Sequence, residues 1–188
     1  GPRKILIHNG SLYFSNWYSA DIKKINLNSW EIEAEISMPG LPEDLVLHNG
    51  LIYTSINMNY DWSDGNLVVA IDPNTDTITN TFDVGQGPGD LLVHNNAIYV
   101  SRTYYDENWN AFYGTSKIDE NGDLIIANYG MGGGACGGGV MSYQDDIYRI
   151  FDGGVAKLDE DLNIMPETRI GSFNPTEVYA AEIINEHI

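Results

Sequence analysis

Residues 45–54 read LVLHNGLIYT, and the same pattern returns at 5–14 as ILIHNGSLYF and at 91–100 as LLVHNNAIYV. A weaker copy stands at 140–149, VMSYQDDIYR. Aligned on Tyr13, Tyr53, Tyr99 and Tyr148, the copies are spaced by 40, 46 and 49 residues. In the first three, apolar residues flank an Asn-Gly or Asn-Asn pair. Such a pair supplies the two positive φ angles of a two-residue hairpin turn, so each copy predicts two short strands around a tight turn.

Working outward, each hairpin is followed by a third strand, at Asp21–Leu27, Gly65–Ile71, Phe112–Ile118 and Gly154–Leu158. Polar turns close these strands, among them Asp72-Pro73-Asn74-Thr75 and Asp119-Glu120-Asn121-Gly122. A fourth strand is predicted at Glu31–Ser37, Thr77–Val84, Asp123–Asn128 and Met165–Ile170, and a Gly- or Pro-rich loop then leads to the next copy. Four strands every 40–50 residues is the period of a propeller blade. No stretch has the capped i, i+3, i+4, i+7 apolar pattern of a helix. The expected fold is therefore all-β, a β-propeller of about four four-stranded antiparallel blades, as a partial or small ring. A β-sandwich would not explain four aligned copies. The blades fall at about 5–40, 45–88, 91–130 and 140–175 of a single domain, 1–188, with a strand of a further blade at 178–188.

These residues closely resemble the YVTN-type β-propeller repeat. Ile98-Tyr99-Val100-Ser101 stands where that family has Tyr-Val-Thr-Asn, Ala70-Ile71-Asp72-Pro73-Asn74-Thr75 is similar to its Asp-containing turn, and Val84-Gly85-Gln86-Gly87-Pro88 to its Val-Gly-x-x-Pro loop. The match is best over 45–100 and weaker after 101, where the third unit is longer and a Gly-rich segment occupies 130–139. The resemblance implies an exported or cell-surface protein, commonly seven-bladed, and a binding module rather than an enzyme. A chain of 188 residues is too short for seven such blades. It reads as a piece of a larger propeller, a four-bladed ring, or a partial ring completed by another copy.

Composition narrows the partners. Nine Lys and Arg face 27 acids, a net charge of −18. Nucleic acid needs a basic footprint, and so does an anionic membrane surface, so neither is expected. No apolar run is long enough for membrane insertion. The single Cys136 forms no internal disulfide. Few lysines with many Asn, Tyr and Gly suggest an extracellular, periplasmic or surface location.

Strand direction alternates within a blade, so the loops between second and third strands share a rim with the blade-to-blade loops. That rim carries Trp17 and Tyr18 in the first blade, Tyr60, Asp61 and Trp62 in the second, and Tyr104, Tyr105, Asp106 and Trp109 in the third. The Gly-rich loop adds Cys136. Aromatic faces beside carboxylates and amides suit a small molecule or glycan, and loops on a rigid scaffold also suit a protein partner. Large aromatics equally pack between blades. His8, His48 and His94 occupy one repeat position and are displaced from blade to blade, so they predict no joint metal site. No organic cofactor is expected. Ca²⁺ at Asp61 and Asp64 is the nearest approach to a metal loop, without the distal bidentate Glu. No catalytic residues are assigned. The enzyme alternative is a polysaccharide lyase or hydrolase using Asp61, Asp106 or Glu107, and a structural alternative is self-assembly, a homo-oligomer formed by propeller completion through open strand edges.

Overall fold

The computed structural model describes residues 1–132, 139–151 and 153–171. Their strands form four antiparallel sheets, each a meander in chain order. The first holds β1 (Pro2–His8), β2 (Ser11–Asn16), β3 (Asp21–Asn26) and β4 (Ile32–Ser37). The second holds β5 (Leu41–His48), β6 (Leu51–Met58), β7 (Asp64–Asp72) and β8 (Thr77–Asp83). The third holds β9 (Pro88–His94), β10 (Ala97–Tyr105), β11 (Ala111–Ile118) and β12 (Leu124–Met131). Three strands make the fourth: β13 (Val140–Tyr143), β14 (Asp146–Phe151) and β15 (Gly154–Lys157).

The hairpins form where the Asn-Gly pairs put them. Asn9 and Gly10 have φ 47° and 78°, Asn49 and Gly50 48° and 79°, Asn95 and Asn96 45° and 60°. Two consecutive positive φ angles match the twist of the flanking strands. The aligned tyrosines also keep their register. Tyr13, Tyr99 and Tyr148 lie opposite Lys24, Lys117 and Lys157 on the neighbouring strand, with each ammonium 5.7–5.8 Å from its ring centroid. In the second sheet Tyr53 faces Ala70 and stacks on Phe82 instead.

Two expectations are corrected. Met165–Ile170 is not a strand: Pro166–Thr168 is a 3-10 turn. Pro166 has no N–H to give a ladder. The Lys157 N–H donates to Thr168 Oγ1 at 2.8 Å, and isolated bridges Leu158–Ile164 and Val155–Ile170 hold the segment. The third blade's last strand also runs beyond Asn128 to Met131, taking Gly130 out of the loop expected at 130–139. Cys136, and the further strand expected at 178–188, lie outside the described residues.

The chain comprises two compact units, Gly1–Leu91 and Leu92–Ile188. In the first, Tyr13, Ile22, Ile36 and Met38 pack against Leu45, Ile52, Ile56, Val69 and Ile71 of the second sheet. Burial of each such side chain contributes about 1.5–3 kcal/mol.

A repeated serine ties a sheet to the strand that begins the next one. Ser15 Oγ accepts the Lys4 N–H at 3.0 Å and donates to the Glu43 carbonyl at 2.8 Å. Forty residues on, Ser55 Oγ accepts the Asp44 N–H at 3.2 Å and donates to the Gly89 carbonyl at 2.6 Å. Both hydroxyls sit two residues after the aligned tyrosine, so Tyr-x-Ser is the signature of this latch in the first two copies; the third copy keeps it as Tyr99-Val100-Ser101, and the fourth has Ile150 in its place.

In the second unit, Ala97, Tyr99, Val140, Ile147, Leu158 and Leu162 form the core. Two buried guanidinium groups accompany it. Arg102 Nη2 donates to the Ala127 carbonyl at 2.8 Å and to Asn128 Oδ1 at 2.6 Å, and Arg149 Nη2 donates to the Arg102 carbonyl at 3.2 Å and the Gly114 carbonyl at 3.4 Å.

Candidate functional site

One turn recurs at the tips of four hairpins. Its first residue donates its N–H to the carbonyl of the fifth and accepts the N–H of the fourth. The segments are Asn59–Ser63, Asp106–Asn110, Asp119–Asp123 and Asp159–Asn163. The fourth position needs a left-handed backbone, and Gly122 fills it with φ 86°. In the other three it is filled by Trp62, Trp109 and Leu162, with φ 67°, 62° and 65°. Leu162 is buried in the core, which explains it. Trp62 and Trp109 are 60% and 82% exposed. A bulky residue in this region costs about 1–2 kcal/mol, and neither tryptophan is placed there to fill a core.

In the first unit Trp17 and Trp62 come together, their ring centroids 6.1 Å apart in an edge-to-face arrangement at 69°. The loops after β2 and β6 are equivalent in adjacent sheets, which is why they meet. Arg3 closes the other side: its guanidinium lies 4.5 Å from the Trp17 ring centroid and forks onto Glu43 at 2.7–3.0 Å. Trp17 is half-buried, Trp62 open, and Tyr18 projects fully into solvent. Tyr60 donates its hydroxyl to the Met38 carbonyl, which fixes that loop to the link between the sheets. The outcome is an aromatic platform with one wall buried and one free.

In the second unit Tyr105 lies 6.1 Å from Trp109, and Tyr104 stacks on Phe112 at 5.7 Å with the Arg102 guanidinium 5.8 Å from its ring centroid. These make a smaller aromatic cluster at the tip of β10–β11.

The acids of both loops work inside their own turns. Asp61 Oδ1 accepts the Ser63 hydroxyl at 2.6 Å and its N–H at 3.1 Å. Asp106 Oδ1 accepts the Asn108 and Asn110 N–H groups, and Oδ2 accepts the Asn110 amide, all at 2.8–2.9 Å. These donors hold Asp61, through Ser63, and Asp106, through Asn110, below the usual carboxylate range. A general acid needs the opposite shift. Among the described residues no three His, Cys, Asp or Glu side chains converge as a metal site; Asp61 and Asp64 stand without a third.

Asp119 and Asp159 are lowered in the same way, chiefly by Asp123 and Asn163. A depressed native pKa gives stability that is complete above the unfolded value, about 3.9, and is lost as pH falls through the native value. The melting temperature should therefore fall as the pH drops below about 4. Replacing Asp106, Asp119 and Asp159 by Asn, which keeps an acceptor and removes the titration, should flatten that limb in a calorimetric pH series.

Sequence reasoning passes over this shared turn, although Asp-Glu-Asn-Trp-Asn, Asp-Glu-Asn-Gly-Asp and Asp-Glu-Asp-Leu-Asn carry it visibly at 106, 119 and 159. It also passes over Trp30, 71% exposed at φ 61° between β3 and β4.

No family model and no curated protein matches the chain. Solved structures do. The WD40 domain of Pan2 from Neurospora crassa superposes with a TM-score of 0.57 at 15% identity, covering 85% of this chain and 49% of that one. Hydrazine synthase from Kuenenia stuttgartiensis gives 0.56 at 15% identity, covering 85% and 46%. The computationally designed protein Ika4 gives 0.50 at 8% identity, covering 88% and 89%. The chain thus spans about half the length of the first two. At these identities the likeness establishes the fold, a β-propeller of about four antiparallel blades, and leaves function to the site.

Proposed function

We propose that the chain is a non-catalytic binding module, exported or displayed at a surface, that takes a neutral carbohydrate on the Trp17–Trp62 platform. The observation that carries this is Trp62: an indole held open at a left-handed backbone position, where the equivalent turn at 119–123 uses glycine. Strain kept at an exposed aromatic is explained by what the aromatic touches outside the chain. Sugar rings stack their C–H faces on indoles, and the amides of Asn16, Asn57 and Asn59 beside the platform donate to Ser19 Oγ, the Pro88 carbonyl, and Ser63 Oγ with the Asp64 carbonyl, which stiffens the loops that present the two indoles. A net charge of −18 disfavours polyanionic glycans, which narrows the class to neutral ones. The resemblance of residues 45–100 to the YVTN-type repeat supports the exported location and the absence of turnover.

Titrating a panel of neutral oligosaccharides against tryptophan fluorescence, with and without Ca²⁺, should give a saturable change for one sugar type. Trp62→Gly relieves the backbone strain while losing the Trp17 contact, two effects of about 1 kcal/mol in opposite directions. Its melting temperature should stay within a few degrees of the parent, while binding weakens at least tenfold. Binding unchanged in Trp62→Gly, or no saturable response to any neutral sugar, would remove the reading. A large fall in stability would instead assign Trp62 to packing.

A further inference from the structure

Trp62 has a counterpart in the second unit. Trp109 fills the same fourth position of the same five-residue turn, with φ 62° against 67°. Both turns join the second and third strands of their sheets, β6 to β7 and β10 to β11. The other two copies of the turn, at 119–123 and 159–163, follow a third strand, and they put Gly122 and the buried Leu162 in that position. An open indole thus goes with the place of the turn in the sheet, and not with the turn alone.

Each of the two indoles has a ring beside it. Trp62 meets the half-buried Trp17 at 6.1 Å, and Trp109 meets the half-buried Tyr105 at 6.1 Å, tilted by 52°. The half-buried ring fixes one wall, and the indole stays open to solvent. Trp30 is the contrast: it too is exposed, at φ 61°, but it lies between a third and a fourth strand, and among the described residues no aromatic ring stacks on it. The second tip is also braced. Asp106 ties Asn108 and Asn110 into the turn. Tyr104 points to the other face of the hairpin from Tyr105 and stacks there on Phe112, its cross-strand partner. Asn108 is exposed, and its side-chain amide makes no hydrogen bond among the described residues. The amides beside the first platform serve their own loops, whereas this one is left to donate to or accept from a hydroxyl.

We propose that the Tyr105–Trp109 tip is a second carbohydrate site, built wholly from residues of its own unit, that takes the same class of neutral sugar as the Trp17–Trp62 platform. The inference rests on the reading of that first platform as a sugar site. Two ring pairs of equal spacing, on one kind of turn, at one place in their sheets, offer like surfaces to the C–H face of a sugar. The ligand is then a glycan of repeating neutral units, because two like sites in one chain read a unit that is presented more than once.

The chain has four tryptophans, and their assigned indole N–H signals in nitrogen–proton correlation spectra report each place separately, which summed fluorescence does not. The whole chain is titrated with maltotriose, cellotriose, mannotriose and xylotriose. With one of them the Trp62 and Trp109 signals should each move and saturate, while the Trp30 signal stays. In Trp62→Gly the Trp109 curve should keep its midpoint within about twofold, as expected for independent sites. The Trp62 curve should do the same in Trp109→Gly, a variant expected to fold because glycine serves the equivalent turn at 119–123. If a variant unfolds, the parent's Trp109 signal decides alone. A Trp109 signal that stays while Trp62 moves overturns this inference and keeps the first platform. So does a Trp109 shift abolished by Trp62→Gly, which would mean one shared site. Equal movement of Trp30 would reduce the response to a solvent effect and overturn it as well. A Trp109 response without one at Trp62 would uphold the second site and remove the first, and silence at both would remove both.

Discussion

Gly65→Ala should lower stability by about 4 kcal/mol or more. Gly65 lies in β7, where the β6–β7 register slips between Ile56 and Met58. A Cβ built there would overlap the Ile56 carbonyl oxygen and would lie 2.9 and 3.0 Å from the carbonyl carbons of Ile56 and Asn57. All three are main chain, so no rotamer change relieves them. The two strands must separate, and the effect reaches further because the Gly65 carbonyl accepts the Gly87 N–H at 2.8 Å. Against a total stability of about 5–15 kcal/mol the variant is expected at the edge of folding, with a melting temperature lower by about 10 °C or more. Thermal denaturation followed by circular dichroism measures it. Gly10→Ala is the comparison: nothing lies within 4 Å of its Cβ, and only its φ of 78° is strained, so a loss of about 1–2 kcal/mol is expected there.

This contrast also marks where sequence reading works. Asn9-Gly10 and Asn49-Gly50 announce their hairpins because the requirement is local, two positive φ angles that few other residues accept. Gly65 announces nothing, because its reason is a neighbouring strand nine residues away. The alternating runs that form β5–β8 are legible for the same local reason. Met165–Ile170 misleads because its apolar spacing resembles a strand while Pro166 removes a ladder donor. Nothing in the sequence marks Arg102 and Arg149 as buried. Their acceptors are main-chain carbonyls such as Ala127 and Gly114, brought to them only by the folded strands. At the rim, the position of Trp17 and Trp62 follows from strand counting, which places equivalent loops of neighbouring blades side by side. The fate of Asp61 and Asp106 does not. A carboxylate in a loop looks the same in sequence whether it faces a ligand or its own turn, and here Ser63 and Asn110 claim it.

Asp44→Ala should cost about 3–4 kcal/mol, and Lys4→Ala well under 1 kcal/mol, although the two side chains form one ion pair. Lys4 Nζ lies 3.1 Å from Asp44 Oδ1, but the lysine side chain is half exposed and the aspartate almost fully buried. Lys4 therefore returns to water at little cost when its partner is lost. Asp44 is different because it serves main-chain donors on two strands: Oδ1 accepts the Leu45 N–H and Oδ2 the Leu91 N–H, both at 2.8 Å. Through it the start of the second sheet grips β9, two residues beyond the point where the Ser55 latch grips Gly89. Alanine leaves both N–H groups without an acceptor in a buried place, and each such loss at a charged acceptor costs about 1.5–3 kcal/mol. Asp44→Asn keeps one acceptor oxygen and should recover about half. The double variant Lys4→Ala, Asp44→Ala closes a thermodynamic cycle by urea denaturation. A coupling of a few tenths of a kcal/mol is expected, because the carboxylate's principal partners are the two backbone amides and not the ammonium. A coupling above about 2 kcal/mol would move the weight to the ion pair and make β1, rather than β9, the strand that Asp44 holds in place.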